Sequence, residues 1–129
     1  MAPEALTAPL AVHAAAVKAK IPSVAGNYHG KFSVTKANGQ KFPAMGISMK
    51  LKILSQHGGK LSGQIIRVAG TFSGSGTIKT SGAVSFKVTA DVFPETIVLK
   101  GKFNKHQFSG TFTDHYTGVT MSGTFIVKK

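Results

Sequence analysis

Beyond Ser23 the chain alternates apolar and polar residues over long stretches. Val24, Gly26, Tyr28, Gly30, Phe32 and Val34 fall on one phase, and Asn27, His29, Lys31, Ser33 and Thr35 on the other. Residues two apart in a strand share a face, so this pattern predicts a strand with one dry and one wet side. Ile47, Met49, Leu51 and Ile53 repeat it against Ser48, Lys50 and Lys52, and Val84, Phe86, Val88 and Ala90 against Ser85, Lys87 and Thr89. Ile97, Leu99, Gly101 and Phe103 form the next apolar row, followed by Phe108, Gly110 and Phe112, and then by Val119, Met121, Gly123, Phe125 and Val127. Turn signals separate the rows at Asn38-Gly39, His57-Gly58-Gly59, Phe93-Pro94, Asn104-Lys105 and residues 114–118. Residues 61–68 and 70–79 read as two strands or as one bent strand with a bulge, because Ile65-Ile66 breaks the alternation and Val68-Ala69-Gly70 is a weak turn.

The rows add up to about eight short, regularly spaced strands, which predicts an all-β protein. Gly-x-Phe recurs at Gly30-Lys31-Phe32, Gly70-Thr71-Phe72, Gly101-Lys102-Phe103, Gly110-Thr111-Phe112 and Gly123-Thr124-Phe125. Glycine weakens a strand unless the strand bends or another backbone comes close. Its repetition predicts a coiled sheet, hence an antiparallel up-and-down meander barrel rather than the rival two-layer sandwich. The apolar rows face inward, since a lipid-embedded barrel would show the reverse. A hairpin with residues 92–95 as its loop would set Phe86 opposite Gly101, the ring covering bare backbone, and Lys87 opposite Lys100 outside.

Residues 1–22 differ in composition: Ala, Leu and Val dominate and strand texture is missing. They are expected to form a mobile tail, or else a short helix capping the barrel, dispensable for the domain at 23–129. The apolar stretch at 8–17 is short, broken by Pro9 and His13 and preceded by Glu4, so it makes a poor intact signal peptide. Cysteine is absent, which leaves the compartment open, with a bacterial exported protein the preferred reading. Lys and Arg number 16 against 4 Asp and Glu, a formal net charge of +12. Such an excess draws polyanions.

The strand texture resembles that of calycins, the lipocalins, fatty-acid-binding proteins and avidins. Leu61-Ser62-Gly63-Gln64-Ile65 and Phe108-Ser109-Gly110-Thr111-Phe112 are similar to the Thr-Gly-x-aromatic strands of avidins. The resemblance implies a barrel with a ligand in its lumen. The first-strand Gly-x-Trp of lipocalins is matched only by Gly26-Asn27-Tyr28, and the chain has no tryptophan, which argues against biotin. No functional residue carries over by position.

An enzyme is not expected. The acids are Glu4, Asp91, Glu95 and Asp114; Asp91 and Glu95 flank one turn and read as solvated, and Asp114 opens another. No nucleophile elbow, phosphate loop or metalloprotease motif is present. The histidines His13, His29, His57, His106 and His115 lack metal-ligand spacing, so no metal or other cofactor is expected. Arg67, the only arginine, follows Leu61, Gly63 and Ile65 into the lumen in one register, where it would need an anionic partner such as a ligand carboxylate. The other register, which places Ile66, Val68 and Phe72 inside and Arg67 in water, is preferred.

Two functions compete. In the first, Tyr28, Phe32, Arg67, Phe86, Phe103, Phe112 and Met121 line a lumen that takes an apolar small molecule, in space the glycines leave. In the second, outward Lys50, Lys52, Lys87, Lys100 and Lys102 hold an anionic envelope polymer or lipid headgroups. A bare scaffold without a natural ligand is a further alternative. Nucleic acid is disfavoured because the aromatics lie on the face away from the lysines.

Overall fold

The computed structural model describes residues 20–129. The tail or helix expected over 1–22 lies, up to residue 19, outside the described residues. Eight strands follow in order: β1 (Gly26–Ala37), β2 (Gln40–His57), β3 (Lys60–Arg67), β4 (Gly70–Ile78), β5 (Ala83–Ala90), β6 (Glu95–Asn104), β7 (Gln107–Tyr116) and β8 (Val119–Lys128). Each pairs antiparallel with the next, and β1 pairs with β8 from His29↔Lys128 to Ala37↔Met121, closing the barrel. The ambiguous stretch is two strands, joined by the fully exposed Val68 and by Ala69.

Two-residue turns with left-handed backbone match the strand twist. They fall at Asn38-Gly39, Thr117-Gly118 and Lys105-His106, the last with φ of 50° and 63° and no glycine. The β1–β2, β3–β4, β5–β6 and β7–β8 hairpins turn at one end of the barrel, termed here the upper end. The other three hairpins turn at the lower end, where both ends of the described chain also lie.

The inner glycines are sites of close approach. A Cβ on Gly30 would lie 1.8 Å from the Ile126 carbonyl oxygen, and one on Gly74 1.9 Å from that of Lys87. At these positions the backbone of the paired strand lies where a side chain would begin. Gly76 also lies under Phe86, directly opposite it on β5. The expected Phe86–Gly101 pairing is shifted by two residues: Phe86 faces Leu99, and Gly101 faces Val84. The loop is Asp91 to Pro94, so β6 begins one residue earlier than a loop through Glu95 allows. A two-residue shift keeps every side chain on its face but changes its partner. Lys87 therefore faces Val98, Lys100 faces Ser85, and the cross-strand lysine pair is Lys36↔Lys41.

A register irregularity between Ile53 and Ser55 leaves Leu54 exposed. The extra residue shifts the phase so that Gln56 pairs with inward Leu61. At the lower end its side-chain amide accepts from Val24 N–H at 2.8 Å and donates to the Pro22 carbonyl at 2.7 Å. That fastening buries Val24, whose carbonyl accepts the Tyr28 hydroxyl at 2.7 Å. Burial pushes the Tyr28 hydroxyl pKa up to about 12.

Candidate functional site

Arg67 continues the inward row of Leu61, Gly63 and Ile65, so the preferred solvent register is overturned. Its side chain is 8% exposed. From the end of β3 it spans the upper lumen: Nη2 donates to Glu95 Oε2 on β6 at 2.6 Å, and Nη1 to Asp114 Oδ2 on β7 at 3.3 Å. Its guanidinium carbon lies 4.8 Å from the centre of the Phe72 ring. Phe93, from the β5–β6 loop, stacks edge-on against Phe72 at 5.9 Å and Tyr116 at 6.0 Å, covering this end.

Glu95 and Asp114 are buried, not solvated as expected of turn residues. Each continues an inward row, Glu95 ahead of Ile97 and Leu99, and Asp114 after Phe108, Gly110 and Phe112. Two carboxylates share one guanidinium. Burial, then hydrogen bonding to Glu95 and its like charge, push Asp114 up to about 7, against the opposing pull of Arg67. The guanidinium's terminal nitrogens are already paired with the chain's own acids, which compete with any ligand carboxylate. The alternating phase of each strand held the signal for all three residues, but only closure makes β3 face β6 and β7.

The remaining lumen candidates do meet. Tyr28, Phe32, Phe86 and Phe112 are buried inside, and Phe103 and Met121 pack against this core partly buried. Ring centres lie 4.6 Å apart for Phe32 and Phe112, 4.8 Å for Tyr28 and Phe108, and 4.9 Å for Phe103 and Phe108. These are contact distances between aromatic pairs.

The lysines divide. Lys50 and Lys52 lie on β2, while Lys87, Lys100 and Lys102 lie on β5 and β6, on the far side of the closed ring. Among the described residues every lysine is exposed except the half-buried Lys52, and Asp91 is the only exposed acid. The described ion pairs are those of Arg67, so no lysine is held by a carboxylate. The described histidines, aspartates and glutamates form no group able to hold a metal ion.

Closure also assembles a group that strand-by-strand reading missed. Lys128 on β8, His29 on β1 and Lys50 on β2 stand directly opposite one another in one outward row. A groove of about 400 Å³ touches His29, Ser48, Lys50 and Ile66. A second, of about 330 Å³, touches His29, Lys31, Ser48 and Lys128. No protein-family profile matches the chain, no curated protein is similar to it, and no solved structure matches it.

Proposed function

We propose that this barrel is a non-enzymatic module that binds polyanions through its lysine exterior. The observation that carries this reading is the disposal of the acids: Glu95 and Asp114 are enclosed with Arg67, which among the described residues leaves Asp91 alone against the exposed lysines. An outer surface so one-sided repels itself and attracts polymeric or surface-bound anions. The lower end adds support. Lys105 and His106 occupy left-handed positions, whereas Asn38-Gly39 and Thr117-Gly118 serve the corresponding turns at the upper end. Left-handed backbone at residues other than Gly or Asn is strained, and such strain clusters at functional sites, which supports the reading. Lys60 and Lys79 belong to the other two lower hairpins.

The lumen ligand implied by the calycin resemblance would need room that the Tyr28, Phe32, Phe108 and Phe112 rings share at contact distance. We therefore assign binding to the outside. Retention on heparin tests the reading. The protein should bind at low salt and elute as sodium chloride rises through a few Debye lengths' worth of screening. Failure to bind at low salt, or elution independent of salt, refutes it. Saturable binding of a naphthalene dye that Phe32→Trp or Phe112→Trp abolishes would return the function to the lumen.

A further inference from the structure

The row Lys128–His29–Lys50 is electrostatically unfavourable by itself. Neighbouring strands lie about 4.8 Å apart, so the two lysines flank His29 closely, and Lys31 stands two residues along β1 on the same face. Like charges crowded on one face of a sheet destabilise it. Among the described residues no acid relieves them: Glu95 and Asp114 are inside, and Asp91 lies in the β5–β6 loop, across the ring from β1. The same residues border the two grooves, which share His29 and Ser48.

We infer that this junction of β8, β1 and β2 is a binding site for a phosphate group, with Lys31, Lys50 and Lys128 as its cationic arms and His29 and Ser48 at its floor. Each ammonium is a point charge on a flexible stem about 6 Å long, so all three reach a common point above His29. A phosphate monoester or diester bears charge over several terminal oxygens and can meet ammonium groups from three directions. The Ser48 hydroxyl and the His29 ring supply further hydrogen bonds to its oxygens. A carboxylate offers only two oxygens and suits a planar fork better than three separate ammonium groups. The proposal rests on the polyanion reading and deepens it, by naming the chemical group and the part of the exterior that takes it.

The test uses the full chain and inorganic phosphate, titrated at constant ionic strength with chloride as the competing salt. Amide and imidazole NMR shifts are followed in the wild type, in Lys31→Ala/Lys50→Ala/Lys128→Ala, and in Lys87→Ala/Lys100→Ala/Lys102→Ala on the far flank. All six positions are exposed, and circular dichroism checks that each variant is folded. Saturable shifts centred on His29 and Ser48 are expected, weakened about tenfold in the first variant and unchanged in the second. Shifts spread evenly over both flanks, or equal losses in the two variants, overturn the site. Polygalacturonate displacing phosphate as well as polyphosphate does also overturns it. Tighter binding of polyphosphate identifies a free polymer as the source of the phosphate, and tighter binding of phosphatidylglycerol vesicles identifies a lipid headgroup; either supports the site. Heparin retention unchanged in the first variant, together with unlocalised phosphate shifts, removes the site and keeps the general reading. Absence of heparin retention with localised phosphate binding does the reverse.

Discussion

Arg67 meets Glu95 across the lumen at 2.6 Å, joining the end of β3 to the start of β6 through the interior rather than along the sheet. Both side chains are largely withdrawn from bulk water, so each is the other's main compensation for lost hydration. Replacing Arg67 by Met should leave two buried carboxylates without a cation. The expected loss is about 3–5 kcal/mol at pH 7, read from urea unfolding, and it should shrink at pH 4, where Asp114, raised by burial, is protonated. Arg67→Met/Glu95→Gln/Asp114→Asn should recover most of it. A single variant as stable as wild type at pH 7 would remove the cluster from the list of structural supports.

Asp114 gives the protein a pH-dependent stability. Its pKa rises from an ordinary 3.8 to about 7 on folding, through burial first and Glu95 second. The folded chain therefore holds this proton more tightly than the unfolded chain does, and protonation favours the fold. The contribution is fully present below about pH 4, fades as pH rises, and is gone above about pH 7. Asp114→Asn, which mimics the protonated acid, should flatten the slope of stability against pH between 4 and 7. An unchanged slope in that variant would assign the dependence elsewhere.

Gly74 has no room for a methyl group. Its Cβ would lie 1.9 Å from the Lys87 carbonyl oxygen and 2.8 Å from the Val88 Cα, both backbone atoms of the paired strand. Gly74→Ala should force β4 and β5 apart and cost about 2 kcal/mol or more, in the range of overpacked cores. Gly39→Ala makes a useful contrast, because nothing lies within 4 Å of its Cβ and only its φ of 83° opposes the change. Equal stability of Gly74→Ala and wild type, by thermal denaturation, would contradict the close approach.

His106 holds a left-handed backbone at φ 63°. Left-handed conformations cost non-glycine residues about 1 kcal/mol or more, so His106→Gly should stabilise the barrel by roughly 0.5–1 kcal/mol after the greater chain entropy of glycine is counted. The same variant should elute from heparin no later than wild type if this hairpin contributes to polyanion binding. A destabilised variant would mean that His106 makes interactions outweighing its backbone strain.

Strand texture alone determined the class of this protein. The alternation of Tyr28, Phe32 and Val34 with His29, Lys31 and Ser33, and its repeats, assign each residue to an inner or outer face, because side chains in a strand alternate with period two. Repeated Gly-x-Phe segments signalled coiling, since glycine in a strand tolerates a backbone where other residues meet a clash. What lay beyond local pattern was partnership. The β5–β6 register differs from the expected one by two residues, a change that leaves the alternation intact and so leaves no trace in it, yet it moves Lys87 from Lys100 to Val98. Arg67 could be placed inside or outside by equally regular patterns, and its acids lie 28 and 47 residues away in sequence. Only closure of β8 onto β1 sets β3 across from β6 and β7, and the same closure brings Lys128 beside His29. Face is a local property of a strand, whereas neighbours across a lumen or around a ring exist only once the sheet has closed.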